Sequence, residues 1–292
     1  MAPARNAPCP CGSGKKFKRC CGAAPPANPV RLKTKIDYIA LNREIAYKGK
    51  IGKMREDFCR QYITRKQLFL KEIEKDQVDK VAAMGEKITC HKGCSTCCSQ
   101  YILGTLQECE AIVYYLYQHE TVLADFLQAY PIWRAKVREN ESVFQNIKDV
   151  VARCCGEGFA EENNQAYDNA NIRFMLQNIP CPFLSKGACS IHEVRPWNCA
   201  KPVVTTPSEW CHPSTNVNNE KPNVYVSQLI PEEVPFYFKP KALNVLLIHL
   251  GVYEILEGGF MWLSDIPGLE GLDKEAMNDP EVKEILPKYL SA

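Results

Sequence analysis

The sequence has no run approaching the ~18 apolar residues of a membrane span. Its opening, Met-Ala-Pro-Ala-Arg-Asn-Ala-Pro-Cys9, lacks the apolar core of a secretory signal. It has no excess of either charge. Lys+Arg 36 against Asp+Glu 34 leaves a formal +2, so no strong overall field draws in nucleic acid or an anionic membrane. A Walker motif is absent, and so is a strand leading into the Gly-x-Gly-x-Gly-like loop of ordinary S-adenosylmethionine folds. Neither paired carboxylates nor a Ser-His-Asp set can be assigned. These absences leave no standard catalytic apparatus in view, and they lead us to expect a cytoplasmic chain. With 292 residues, 46% hydrophobic and 24% charged, the composition suits one large soluble domain or two modest ones.

What the sequence does have is 16 cysteines. Disulfides are rare in a reducing compartment, so clustered cysteine points to metal ligation. The adjacent pairs Cys20-Cys21 and Cys97-Cys98 also suit a disulfide framework poorly. Two loops stand out. The first is Cys90-His-Lys-Gly-Cys94-Ser-Thr-Cys97-Cys98. The second runs from Cys181 through Cys189 to Cys199 and is punctuated by Pro182, Gly187 and Pro196. Thiolates are preferred ligands of zinc, copper(I) and iron–sulfur clusters, and Pro and Gly let a chain fold sharply around an ion. The two loops read as halves of one metal site or as a close pair of sites.

A third thiol-rich stretch lies near the start, Asn6-Ala-Pro-Cys9-Pro-Cys11-Gly-Ser-Gly-Lys-Lys-Phe-Lys-Arg-Cys20-Cys21-Gly22. Two close pairs of soft ligands suit a structural tetrahedral zinc, and so short a segment could fold only around a metal. It closely resembles the SEC-C motif, the zinc-binding tail of the SecA preprotein translocase ATPase. The resemblance implies zinc on Cys9, Cys11, Cys20 and Cys21. It also implies a possible protein partner for this unit, since in SecA the tail contacts a chaperone. Nothing else in the chain looks like SecA, so translocation is not implied.

Pro25, Pro26 and Pro29 mark a linker. Residues 34–84 carry apolar side chains at helical intervals (Ile36, Ile39; Phe58, Tyr62; Val78, Val81) and read as two or three amphipathic helices broken near Gly49 and Gly52. Cys59 is expected in the core of that stretch. Thr105-Leu-Gln-Glu108 has the form of a capping box opening a helix with Ile112, Val113 and Leu116, and Cys109 shares its apolar face. Further helices are expected over 121–153, interrupted at Pro131, and through Tyr167 to Met175. Val224–Val226 is β-like. A last core helix is expected from Lys241 to Leu256, followed by a tail containing Pro267, Pro280 and Pro287.

Cys94-Ser-Thr-Cys97-Cys98, with Cys181-Pro-Phe-Leu, Cys189-Ser-Ile-His-Glu-Val-Arg195-Pro196 and Cys199, is similar to the CxxCxxCC cysteine-cluster family (YkgJ type). That family is described as zinc- or iron-chelating, and the flagellin lysine N-methylases are similar to it. The first spacing departs from the family name, with three residues between Cys90 and Cys94. The resemblance implies the ligand candidates Cys90, Cys94, Cys97, Cys98, Cys181, Cys189 and Cys199, with Cys211, Cys154 or Cys155 as a possible eighth. That many thiolates exceed one zinc or one [4Fe–4S] cluster, so two centres or a reserve of thiols is expected. Arg195 could donate to the sulfurs of an anionic cluster, or simply pair with Glu193 or cap a carbonyl. His91, His192 and His212 lie close enough in sequence to a cysteine to be considered as ligands. His119 and His249 do not, and no role is assigned to them.

The expected architecture is mainly α, a helical domain with irregular metal-binding cysteine loops preceded by a small zinc-binding unit. Its divisions are the zinc-binding motif (1–22), a linker (23–33), a helical arm (34–89), the cysteine-cluster domain (90–215) and its C-terminal helical completion (216–292). The function so read is a metal-binding protein with zinc in the N-terminal motif and zinc or iron, including an iron–sulfur cluster, in the central domain. The alternatives are an iron–sulfur oxidoreductase or a methylase related to the flagellin lysine N-methylases, and metal storage or delivery. Cys90-x3-Cys94-x2-Cys97 matches radical-SAM spacing literally, but the repeated βα units of that fold are not visible.

Overall fold

The computed structural model describes residues 47–91, 93–157, 161–212, 214, 221–230 and 245–258, with isolated positions nearer the two ends. The chain divides into two compact units, Met1–Ala40 and Leu41–Ala292, and the fold below is that of the second. The N-terminal zinc unit with Cys9, Cys11, Cys20 and Cys21, the proline-rich linker, Ile36, Ile39, the side chain of Cys155, and Pro267 and Pro287 lie outside the described residues.

The described chain is mainly helical. Helix α1, Gly49–Ala83, runs 35 residues without a break, about 50 Å at 1.5 Å per residue. The break expected at Gly52 does not occur. Gly52 sits inside the first turn, where its N–H reaches the Lys48 carbonyl at 2.9 Å, and a Cβ there would lie 2.1 Å from the Tyr47 carbonyl carbon. The glycine serves a close approach of backbone to backbone. The buried stripe of α1 is Arg55, Cys59, Tyr62, Lys66, Leu70, Ile73, Gln77 and Val81, an alternation of threes and fours that keeps one face inward. Val78, expected on that stripe, is 57% exposed. Three of the inward positions are polar, and each has a partner elsewhere in the fold.

Strand β1, Leu103–Thr105, leads directly into helix α2, Leu106–Gln118. Thr105 caps α2 through the reciprocal box read from the sequence: its hydroxyl accepts from the Glu108 N–H at 3.0 Å and Glu108 Oε2 accepts from the Thr105 N–H at 3.0 Å. Helix α3, Glu120–Glu139, passes through Pro131 without interruption. The chain turns instead at Asn140, between α3 and helix α4, Glu141–Glu157. Pro131 forfeits one intrahelical bond, and the stacked rings of Tyr130 and Trp133, 5.6 Å apart, pin the helix on either side of it. Helix α4 packs against helix α5, Glu161–Met175.

Among the described residues three two-stranded antiparallel ribbons complete the framework. Strand β2 (Leu184–Ser185) pairs with β3 (Ala188–Cys189), and β4 (Pro202–Val204) with β5 (Val224–Val226). The third ribbon pairs β1 with β6 (Val245–Leu247) in the register Leu103↔Leu247. Residues 245–247 were expected to be helical. A continuous apolar run fits either period, and the free edge of β1 decides for strand. Helix α7 then occupies only Ile248–Gly258. At Gly104 a Cβ would lie 2.4 Å from Ile248 Cδ1, so a larger residue there would have to displace the end of the Ile248 side chain. A four-residue helix, Trp197–Ala200, becomes α6.

Two buried ion pairs tie α1 to α2. Arg55 binds Glu110 through two N–H groups, Nη2 at 2.7 Å from Oε2. Lys66 Nζ lies 2.7 Å from Glu108 Oε1, both side chains at most 1% exposed. Lys66 also stands over the Trp197 ring, 4.6 Å from its centroid. The Glu108→Ala substitution leaves a buried ammonium without its anion and removes the carboxylate half of the capping box, and is expected to cost about 3–5 kcal/mol. Urea unfolding measures this. Lys66→Met combined with Glu108→Gln should recover most of the loss, whereas a single alanine variant as stable as the parent would show that the pair contributes nothing.

Candidate metal centre

The first cysteine loop is a succession of tight turns. The N–H of Cys94 bonds the His91 carbonyl at 3.0 Å, that of Cys98 the Ser95 carbonyl at 3.0 Å and that of Gln100 the Cys97 carbonyl at 3.2 Å. Turns of this kind bring thiols three or four residues apart to one side. Beyond them Tyr101 anchors the loop to α5, its N–H donating to Asn171 Oδ1 at 2.9 Å and its carbonyl accepting from the Tyr167 hydroxyl at 3.2 Å.

The second loop is laid against the first by backbone. The Cys181 N–H donates to the Cys98 carbonyl at 2.7 Å, and the Thr89 N–H to the Val204 carbonyl at 2.9 Å. The Val204 N–H also points at the Cys90 sulfur, 3.4 Å away. Cys189 is delivered by the β2–β3 hairpin, whose turn residues Lys186 and Gly187 both have positive φ, 52° and 80°, as a type I′ turn requires. Cys199 lies on α6, which is held from three directions: Glu108 Oε1 accepts from the Trp197 N–H at 2.8 Å, Asn198 donates to the Leu103 carbonyl at 2.8 Å, and Gln77 of α1 donates to the carbonyls of Ala200 and Lys201. Cys211 ends a 3-10 turn, Ser208–Cys211.

Cys97 acts electrostatically on six other thiols, Cys90, Cys98, Cys181, Cys189, Cys199 and Cys211. Burial raises the Cys211 thiol to about 12, and Cys97, Cys90 and Cys94 push it the same way. Burial also raises Cys90, with Cys97 and Cys94 adding to it. On the other side, burial takes Cys181 up to about 12, reinforced by Cys189 and Cys97. Cys199 is raised well above the ordinary thiol value by burial, then by Cys181, Cys189 and Cys97. Cys98 is raised first by the hydrogen bond it gives Cys97, then by burial, and further by Cys97, Cys181 and Cys199. That same hydrogen bond lowers Cys97 against the effect of its burial. Cys90, Cys94 and Cys211 act together with Cys97, and Cys97 acts equally on Cys98, Cys181, Cys189 and Cys199, which are also linked among themselves.

Among the described residues no group of three or more Cys, His, Asp or Glu side chains is placed to hold a metal ion. The donor set nonetheless fits a soft divalent ion. Burial, and after it their neighbours, keeps most of these thiols protonated, and a bound cation would offset both. Cys90, Cys97 and Cys199 keep part of their residue surface in solvent, although protein crowds the sulfurs of Cys97 and Cys199, and the other five are half-buried. A cavity of about 350 Å³ opens against Cys98 between Ser95, Thr96, Asn178 and His212.

The remaining candidates fall elsewhere. Arg195 is engaged by His192 and by Glu74, whose Oε1 is 3.1 Å from Nη2, and it reaches the cluster as charge, lowering a Cys189 thiol that burial raises. His91 Nδ1 is 3.2 Å from the Thr89 carbonyl. His212 is buried with both nitrogens in use, Nε2 on the Met175 carbonyl at 3.0 Å and Nδ1 on Ser214 at 2.7 Å. Cys154 turns into the α4–α5 interface, 3.6 Å from the Asn163 carbonyl. Cys59 and Cys109 are wholly buried.

Sequence reasoning missed His249. Its Nε2 lies 3.1 Å from Cys181 Sγ, and burial pushes the imidazole down to about 3, which keeps it neutral. Its only signal was an imidazole in the apolar run Val245–Leu250, and nothing in the spacing links it to a cysteine 68 positions earlier.

Comparison with known proteins speaks to the N-terminus. Residues 5–23 match the SEC-C motif family. Protein translocase subunit SecA of Nitratiruptor sp. is 75% identical over 28 residues, 10% of this chain and 3% of that protein. SecA of Campylobacter fetus is 68% identical over the same length. Uncharacterized protein YccF of Bacillus subtilis is 61% identical over 31 residues, 11% of this chain and 9% of that protein. The chain therefore spans less than a tenth of the curated relatives it matches. No solved structure matches it.

In metal-stripped protein, iodoacetamide is expected to label Cys97 before the other thiols and to spare Cys59 and Cys109 until the chain unfolds. The Cys97 rate should rise with pH through a midpoint below the ordinary thiol value of about 8.5. Peptide mass spectrometry reads the order, and labelling of Cys98 ahead of Cys97 would contradict the direction of their hydrogen bond.

Proposed function

We propose that the chain is a cytoplasmic zinc-binding protein with two kinds of site. A structural zinc is held by Cys9, Cys11, Cys20 and Cys21 of the SEC-C motif, and a pair of four-sulfur centres is held by the central domain as a CxxCxxCC (YkgJ-type) cysteine cluster. One central centre takes Cys90, Cys94, Cys97 and Cys211, the other Cys98, Cys181, Cys189 and Cys199. The single observation that carries this reading is the backbone bond of 2.7 Å from the Cys181 N–H to the Cys98 carbonyl, which lays the two cysteine loops against each other. Four protein sulfurs per ion leave no open position for substrate, which is the character of structural zinc. The domain then acts through binding, with the SEC-C unit offering a surface to a protein partner. Among the described residues no helix is long and apolar enough to cross a membrane.

Elemental analysis of anaerobically purified full-length protein tests the reading. About three zinc equivalents per chain are expected, falling by one in a Cys20→Ser/Cys21→Ser variant and by one or two in Cys97→Ser. Zinc that vanishes altogether with the N-terminal substitutions would overturn the central sites. Iron with labile sulfide and a broad visible absorption would replace zinc by an iron–sulfur cluster and turn attention to redox or methyl-transfer chemistry.

A further inference from the structure

The two-centre reading makes no use of His249, yet this side chain is set against one of the thiols of the second centre. It is 2% exposed and sits on the first turn of α7, which is fixed to the residue preceding β1 by the Ile248 N–H donating to the Ile102 carbonyl at 3.0 Å. The ring is walled by Trp133 of α3, 5.0 Å between centroids, and by Phe183, 5.9 Å away. Its Nε2 faces Cys181 Sγ at 3.1 Å, and its buried Nδ1 has no hydrogen-bond partner among the described residues.

We propose that His249 donates its Nε2–H to the sulfur of Cys181 and fixes the direction in which that sulfur meets an ion held with Cys98, Cys189 and Cys199. The inference rests on the two-centre reading. A thiolate bound to a cation has no proton to give, so a nitrogen 3.1 Å from it must be the donor. That tautomer leaves Nδ1 as a bare lone pair in an aromatic box, whereas the other would bury an N–H with nothing to accept it, the rarer and costlier situation. The same sulfur accepts from the Phe183 backbone N–H, so two donors converge on one ligand atom. Four sulfurs already fill a tetrahedral shell, which makes His249 a positioning residue outside it. Losing such an outer partner typically weakens a metal site by about 10- to 100-fold.

The test compares zinc-loaded full-length protein with His249→Phe, which refills the aromatic box without a donor, and His249→Gln, which restores one. Transfer of zinc to a colorimetric chelator is followed in each, and the cobalt-substituted proteins are compared by their sulfur-to-cobalt charge-transfer bands. His249→Phe is expected to keep its zinc count, to release one equivalent about 10- to 100-fold faster, and to shift the cobalt bands. His249→Gln should return the rate most of the way to the parent value. Release from His249→Phe at the parental rate overturns the inference, as does a parental cobalt spectrum with nitrogen in the ligand field, which would make His249 a direct ligand. If His249→Phe does not fold, His249→Leu is read in the same way. Failure of the underlying reading is seen separately and earlier: the parent would hold no zinc beyond that lost with Cys20 and Cys21.

Discussion

The Glu108 carboxylate is the point on which the arrangement of the central domain turns. Fully buried, it accepts from the Lys66 ammonium, from the Thr105 N–H that opens α2 and from the Trp197 N–H that opens α6. One side chain thus joins the long helix, the capped helix and the short helix that carries Cys199. A buried carboxylate is tolerable only when its lone pairs are filled and its charge is matched, and here the three donors come from three separate elements. The requirement is geometric as much as energetic, because none of the donors can move far without exposing an unpaired charge. Gln77 then holds the far end of α6 through the Ala200 and Lys201 carbonyls, so the Cys199 segment is fixed at both ends by α1 and α2.

Against that frame the thiols are set in loops whose own bonds are local. Turns 91–94, 95–98 and 97–100 make the first loop, and a two-residue hairpin turn presents Cys189. The loops meet through single backbone bonds, Cys181 to Cys98 and Thr89 to Val204. The division of labour follows from the chemistry. Rigid elements with buried charge give a fixed platform, while irregular chain lets sulfur atoms approach one another more closely than regular helix or sheet would allow. The thiols so placed have raised proton affinities, first through burial and then through one another.

Much of the framework was legible because it follows local rules. The Thr105–Glu108 box announces the start of α2, and the mainly helical character follows from periodic apolar spacing. The errors fell where a long-range contact overrules local preference. Gly52 reads as a break until Tyr47 is found against it, Pro131 reads as a boundary until its flanking aromatic rings are placed, and Val245–Leu247 reads as helix until β1 offers an edge. Polar residues on the buried face of α1 could not be told from solvent-facing ones. Arg55, Lys66 and Gln77 look ordinary in a charged helix, and only Glu110, Glu108 and the carbonyls of α6, far along the chain, give them their meaning. The cysteine loops were visible from composition, but their apposition was not, since it depends on the backbone bond between Cys181 and Cys98.

His249 carries that argument one step further. A histidine within Val-Leu-Leu-Ile-His-Leu would be out of place in a helix whose only task was to fill a core, because burying an imidazole with one unpaired nitrogen is unfavourable. The strand–helix junction at 247–248 places it under the second loop, where Phe183, two residues beyond Cys181, closes the ring in. The C-terminal segment is therefore more than a lid over the apolar core. Pairing of β6 with β1 fixes the register of α7, and that register sets a nitrogen against the sulfur of Cys181. The segment that completes the core thus also reaches the thiols, and Glu108 and His249 support them from opposite ends of the same ribbon.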